Sequence, residues 1–297
     1  MKPLLVPLQD TAHMHEALAR ALDAEIADTE LRRFPDGETY FRFDTSPAGR
    51  DVILLAGLAR PDEKLPALIF AAQTARALQA KSVGLIAPYL PYMRQDRMFR
   101  PGEAISSIHF AKIISGVVDW LVTLDPHLHR WKALSDIYDV PAEAAHAAPA
   151  IADWIRREIQ RPVLIGPDAE SRQWVSRIAR LAGVDHVVMN KSRHGDRKVE
   201  ITSPDLGRWR NHTPVVLDDM ISTGMTFIAA TRAVLEQGLP APICCAIHAI
   251  YSDDADNALH QAGAARIVTT NTIAHSSNAI DVSAILAAAA SGLISAR

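Results

Sequence analysis

The chain has 297 residues, enough for one or two domains, and 48% of them are apolar, enough for substantial cores. With 31 Lys and Arg against 34 Asp and Glu, the net charge is −3. No global basic field therefore invites nucleic acid or an anionic membrane, and phosphate chemistry must rest on local arginines and lysines. No apolar run approaches a membrane-spanning length, and the N-terminus lacks a charged segment followed by a long apolar core.

Strand-like and helix-like segments alternate, which favours an α/β protein with largely parallel sheets. Leu4 to Leu8 is a first strand, followed by a helix through Ala24. Thr39 to Phe43 alternates polar and apolar residues, as an edge hairpin would. A strand at Asp51 to Leu58, a helix at Glu63 to Gln79 and a strand at Ser82 to Leu90 come next. Arg94 to Glu103 is polar, contains Pro101-Gly102 and reads as an exposed loop. A helix at Ile105 to Ser115 and a strand at Trp120 to Asp125 complete the first half, and the Ala/Pro-rich passage from Pro141 to Pro149 is the expected boundary. The second half repeats the rhythm. Strands are expected at Val163 to Gly166, His186 to Met189, Val215 onward, Ile243 to Ile250 and Arg266 to Thr270. Helices are expected at Ser171 to Leu181, after Gly224 and at Ala255 to Ala262, with a charged loop at Ser192 to Lys198 and a return through Val199 to Thr202. Cys244 and Cys245 are the only cysteines. Neighbours on a strand point to opposite faces, so they do not bridge, which suits a reducing cytoplasm. Ile285 to Ala290 is too short to span a membrane and reads as a packed helix.

In parallel sheets ligands bind beyond the carboxyl ends of strands. Asp218-Asp219 follows an apolar strand and leads into Ser222-Thr223-Gly224-Met225-Thr226 at a helix start. Orphan amides and the helix dipole favour phosphate there, while paired carboxylates suit ribose hydroxyls or a hydrated metal. The pattern reads as a site for a phosphorylated sugar. Arg94-Gln95-Asp96-Arg97, with Arg100, is a compact cationic segment whose guanidinium forks suit phosphate oxygens, unless Asp96 and Glu103 pair them internally. Asp36-Gly37-Glu38 follows Pro35 in a turn; its carboxylates could accept from a nucleobase amine or a ribose. His127 lies in Asp125-Pro126-His127-Leu128-His129, a strand end that could touch a metal or its waters without a zinc signature. Asp168 is either a helix N-cap or, with Ser171 capping, a free carboxylate. Lys191 and Arg193 open a charged loop that also holds His194, Asp196, Arg197 and Lys198. It is either a surface hairpin or a cationic lid closing over a polyphosphate.

In this order the motifs resemble the ribose-phosphate pyrophosphokinase (phosphoribosyl pyrophosphate synthetase) family, from Phe34 to about Asp281. Pro-Asp-Gly-Glu at 35–38, Pro-Tyr-x-x-Tyr-x-Arg-Gln-Asp-Arg at 88–97 and Asp-Asp-x-x-Ser-Thr-Gly-x-Thr at 218–226 carry the resemblance. The last is shared with type I phosphoribosyltransferases in general; the Arg-Gln-Asp-Arg block is not. The resemblance implies two type I phosphoribosyltransferase-like domains, residues 1–145 on the ATP side and 146–297 on the ribose 5-phosphate side. It places ATP on Asp36, Gly37, Glu38, Arg94, Gln95, Asp96 and Arg97, partly across a subunit interface. It places magnesium on His127 and Asp168, the catalytic lid on Lys191 and Arg193, and ribose 5-phosphate on Asp218, Asp219, Ser222, Thr223, Gly224, Met225 and Thr226. It further implies a homo-oligomer, a dimer of dimers or a hexamer, with ATP as co-substrate and no nucleic acid or membrane partner. Met225 stands where the family usually has Gly, Ser222 where Asp is common, and Glu170-Ser171 where many members have Gly-Gly. A type I phosphoribosyltransferase needs no ATP site, which the Arg94 block argues against. A non-catalytic regulatory homologue fits poorly with retained Lys191, Arg193, His127 and Arg94-Gln95.

Overall fold

The computed structural model describes residues 1–128, 130–194, 198–202, 204–252 and 254–295; of 191–203 it describes the backbone only, where it describes anything. The chain divides into two units. One holds residues 1–146, 272–274 and 282–297, the other 147–271 and 275–281.

The first unit opens with β1 (Leu4–Pro7), α1 (His15–Ala21), β2 (Glu25–Ile26), the hairpin β3 (Thr29–Arg33) and β4 (Thr39–Phe43), then β5 (Asp51–Leu55). It continues with α2 (Leu65–Ala77), β6 (Ser82–Ala87), α3 (Ser106–Ser115), β7 (Trp120–Leu124) and β8 (Ala142–Ala145). Six strands form a parallel sheet in the order β2-β1-β5-β6-β7-β8. Its central strands are continuous apolar runs because both faces are covered. Leu4, Val6, Val52, Leu54, Val83 and Leu85 join α2 and α3 in one core cluster. Gly84 sits opposite Trp120 in the register, and a Cβ there would lie 1.8 Å from the indole, so only glycine admits that buried ring.

The second unit holds α4 (Ala148–Glu158), β9 (Pro162–Gly166), α5 (Arg172–Ala182), β10 (Asp185–Val188), β11 (Asn190–His194) and β12 (Lys198–Thr202). Then follow β13 (Thr213–Ile221), α6 (Met225–Glu236), β14 (Ile243–Ala249), α7 (Ala255–Gln261), β15 (Arg266–Thr270) and β16 (Asn278–Ile280). Its parallel sheet runs β10-β9-β13-β14-β15-β16. Val163, Ile165, Val216, Cys244 and Ile267 meet α6 and α7 in a second core. Both cysteines are buried and free, and burial pushes each thiol up to about 12. The closing helix α8 (Ser283–Ser295) packs on α1, β7 and β8 of the first unit, whereas the expected 146–297 division would leave it in the second.

Several elements differ from the sequence expectation. Hairpin β3–β4 is a separate two-stranded antiparallel sheet with β4 on α2, not an edge of the main sheet. The boundary passage carries β8 and the start of α4. Proline in a first helical turn forfeits no hydrogen bond, and Ile151, Ala152, Trp154 and Ile155 recur at helical spacing and are buried. The charged loop after Met189 is a strand through His194 that pairs with Lys198–Thr202. Strand β13 extends four residues past Leu217, so Asp218 and Asp219 lie inside it.

Candidate functional site

In the first unit, the Phe34–Glu38 turn caps the β3–β4 hairpin. Phe34 N–H donates to Glu38 O at 2.8 Å, Gly37 N–H to Phe34 O at 2.9 Å, and Glu38 N–H to the Asp36 carboxylate at 3.2 Å. Gly37 holds φ +94°, a conformation that costs glycine little. Asp36 and Glu38 are exposed. Behind the turn, the Arg32 guanidinium lies 4.6 Å from the Phe34 ring centre and 4.3 Å from that of Tyr40. The two rings meet edge to face at 5.9 Å, which stiffens the base of the turn.

The Arg94 segment leaves β6 through Tyr92, which holds φ +63°, donates its hydroxyl to Asp62 and packs against Phe110 at 5.0 Å. Desolvation first, then the Asp62 hydrogen bond, pushes the Tyr92 hydroxyl up to about 12. Gln95 is tied to the start of α3. Its side-chain carbonyl accepts from Ser106 Oγ at 2.9 Å, and its backbone carbonyl accepts from Ser107. Asp96 is turned inward, with a side chain only 7% exposed and 3.7 Å from Arg130. Glu103 accepts the amides of Phe99 and Arg100. The internal pairing that would neutralise this segment is thus spent elsewhere. Arg94, Arg97 and Arg100 are exposed and form no ion pair among the described residues.

His127 follows the neighbouring strand β7, at the same sheet edge as the Arg94 segment. Asp125 turns the chain there at φ +36° and meets His146 Nδ1 at 2.8 Å, a partner 21 residues away that no sequence pattern announces. His129 lies outside the described residues.

In the second unit, parallel pairing of β9 with β13 brings Asp168 and the Asp218 segment to one sheet edge. The Asp168 carboxylate accepts the amides of Glu170 and Ser171, both at 3.1 Å, while Ser171 Oγ donates back to Asp168 O at 2.7 Å. Of the two alternatives the sequence leaves open, the structure shows the Asp168 side chain accepting the turn's amides, with Ser171 Oγ bonded back to the Asp168 carbonyl. Glu170 is exposed.

Asp218 pairs with Ala246 in the ladder, and its carboxylate accepts the Asp219 amide at 3.0 Å. Both Asp side chains are half-buried. Ile221 and Ser222 carbonyls accept from Ile250 and Ser252, at 3.0 and 3.1 Å, so the strand exit stays zipped to its neighbour. Gly224 then turns at φ +73° against Leu259 and Ala255, and α6 begins without any side-chain cap. First-turn amides with no capping side chain make an anion site. Met225, 43% exposed, turns to solvent and does not fill the turn. Lys191 and Arg193 lie in β11, opposite Ile201 and Val199; their side chains, and residues 195–197, lie outside the described residues.

Sequence reasoning missed two groups. One is the Asp125–His146 pair. The other is a polar network at the carboxyl end of β15, where His275, Ser277 and Asn278 hold Thr269 and Thr270. No spacing rule reaches across strands to find either. Among the described residues no three His, Cys, Asp or Glu side chains form a metal cage, and no helix is long and apolar enough to cross a membrane.

Residues 4–117 match the model described as the N-terminal domain of ribose phosphate pyrophosphokinase, and residues 133–283 match the phosphoribosyl transferase domain. A ribose-phosphate pyrophosphokinase of Methanopyrus kandleri is 35% identical over 93% of this chain and 94% of its own. The Sulfolobus acidocaldarius protein of the same name is 31% identical over 92% of this chain and 94% of its own. The crystal structure of phosphoribosylpyrophosphate synthetase from Mycobacterium smegmatis superimposes with a TM-score of 0.86 over the full length of both chains at 24% identity, a likeness of fold.

Proposed function

The chain belongs to the ribose-phosphate pyrophosphokinase family, and on that premise we propose that it transfers the diphosphoryl group of ATP to the C1 hydroxyl of ribose 5-phosphate. The products are 5-phosphoribosyl 1-diphosphate and AMP. The observation that carries this reading is the β13–α6 junction, where two half-buried aspartates run directly into an uncapped helix start. The first-turn amides of α6 and the hydroxyls of Ser222, Thr223 and Thr226 take the 5-phosphate, with Gly224 and Met225 lending backbone. Asp218 and Asp219 accept from the ribose hydroxyls, which orients the anomeric oxygen.

The first unit forms the ATP side and the second the ribose 5-phosphate side. Asp36 and Glu38 accept from the nucleoside, with Gly37 shaping the turn; Arg94 and Arg97 meet phosphate oxygens through guanidinium forks. Gln95, held by Ser106, directs its amide to the nucleotide, and buried Asp96 fixes the segment rather than touching ATP. The chain's residues fit magnesium, which takes few protein ligands and keeps phosphate oxygens and water. Asp168 in the second unit would offer a carboxylate to such an ion, and His127 in the first an imidazole to an ion or its waters. Magnesium, when bound with ATP, neutralises and orients the polyphosphate.

Attack is on the β-phosphorus, in line with departure of AMP, so positioning and charge neutralisation dominate. Lys191 and Arg193 on the β11–β12 hairpin meet the charge that develops on the transferred group. We place the protein in the cytoplasm as a homo-oligomer. Incubation with ATP, magnesium and ribose 5-phosphate tests the reading: release of AMP is expected. ADP would mean ordinary γ-phosphoryl transfer, and no nucleotide product would overturn the assignment.

A further inference from the structure

The turn that follows Asp219 is braced from below by an element the reaction itself does not require. Segment 250–252 continues the parallel ladder beyond β14, its Ile250 and Ser252 amides donating to the Ile221 and Ser222 carbonyls at 3.0 and 3.1 Å. Between those two donors stands Tyr251. Its ring packs on the core cluster that contains Ile221 and Phe227, the apolar residues on either side of the turn. It also stacks on His275, at 4.2 Å between ring centres and 21° between planes.

His275 is itself fixed from several directions. Its amide donates to Asn278 Oδ1 at 3.0 Å. Its Nδ1 accepts the Ser277 amide at 3.1 Å and lies 2.8 Å from Ser277 Oγ, which lies 2.8 Å from Thr269 Oγ1. Asn278 Nδ2 donates to Thr269 Oγ1 at 2.9 Å and to Thr270 O at 2.7 Å. Thr270 Oγ1 in turn donates to Ile247 O in β14 at 2.7 Å, which closes the network onto the strand that leads into Tyr251. A backbone N–H aimed at Nδ1 requires a lone pair there, so the ring cannot flip without losing that bond. Thr269, Thr270 and Ser277 are buried, where broken hydrogen bonds are costly.

We propose that His275, acting through the Tyr251 ring, is a positioning residue for ribose 5-phosphate: it holds the Ser222–Gly224 turn in the geometry that receives the 5-phosphate. The proposal rests on the assignment of that turn to ribose 5-phosphate. A loop held in its binding conformation loses less entropy on binding, so the brace acts on affinity for the sugar phosphate and leaves ATP alone.

The test is ribose 5-phosphate titrated calorimetrically into wild type, His275→Ala and His275→Phe, with thermal melts of each and steady-state AMP formation. His275→Ala is expected to weaken ribose 5-phosphate binding, and raise its KM, about five- to tenfold, with the KM for ATP unchanged. His275→Phe, which keeps a planar ring and loses Nδ1, is expected to recover most of the affinity. Equal loss for both substrates, or a lowered melting temperature with unchanged ribose 5-phosphate affinity in either variant, overturns the brace. Wild type that binds ribose 5-phosphate but releases no AMP overturns the diphosphokinase reading and leaves the brace to be judged on binding. Wild type that does not bind ribose 5-phosphate overturns both.

Discussion

The two units repeat one plan: a parallel strand, a neighbour added outward, an antiparallel hairpin, then four more parallel strands in order. They diverge where function would be sought, at the strand tips. In the second unit the third parallel strand, β13, carries Asp218 and Asp219 and opens into the uncapped start of α6. In the first unit the corresponding strand, β5, is followed by Ala56 and Gly57, and Lys64 reaches the chain there. Lys64 Nζ donates to the Gly57 carbonyl at 2.8 Å and pairs with Asp10 from the loop after β1. An internal cation has taken the place where the other unit offers an anion its amides. One fold thus gives two corresponding strand tips different surroundings, and the difference lies in a handful of residues at loop level.

The hairpins give the largest contrast. Lys191→Ala in the second unit's hairpin is expected to lower turnover about 100- to 1000-fold while ribose 5-phosphate binding, followed by calorimetry, stays within twofold. Asp36 in the first unit's hairpin has no such role in turnover on this view. Unchanged turnover in Lys191→Ala would remove the division of labour between the hairpins. Next in size is Asp218→Asn, expected to raise the KM for ribose 5-phosphate about 10- to 100-fold through loss of charge-assisted hydrogen bonds, with little change for ATP. A parallel rise for ATP would mean that the tips of β13 do not serve the sugar alone.

Lys64→Met sharpens the comparison from the sealed side. It leaves Asp10 without its ammonium partner and the Gly57 carbonyl without a donor, so chemical denaturation should show a loss of about 1–2 kcal/mol, with both KM values unchanged. An altered KM would mean that the tip of β5 also takes part in binding. The smallest effect is expected at alkaline pH. Tyr92 is pushed from 10.0 up to about 12 in the folded protein, so the stability it contributes is complete below pH 10 and lost as pH rises towards 12. Tyr92→Phe removes that dependence. Denaturation curves at pH 8, 10 and 11 should therefore converge for wild type and variant as pH rises. Parallel curves would show that the hydroxyl is not what titrates.

How much of this was legible beforehand depended on range along the chain. The central strands were recognisable as short apolar runs, because a strand covered on both faces needs little else. Asp218 to Thr226 was recognisable because strand, acids, glycine turn and helix start are contiguous. Strand β8 and helix α4 were hidden by an Ala/Pro composition that normally marks a linker, and burial of Ile151 and Trp154 overrode that local signal. The role of Asp168 stayed open because two residues able to cap the same turn cannot be ranked without their geometry. His275 and Tyr251 are 24 positions apart and carry no shared pattern, so only the folded arrangement of their loops announces them.

By itself the amino-acid order determined the α/β class, the duplicated rhythm, and the contiguous strand–acid–turn–helix motif at 215–226, since each depends on neighbours a few residues away. Tertiary structure decided which carboxylates turn inward, as Asp96 does, and which arginines stay exposed. It also decided that Lys64 closes off the tip of β5 while the helix after β13 starts without a side-chain cap. Those outcomes depend on distances between segments remote in sequence, and such distances exist only once the sheets have formed.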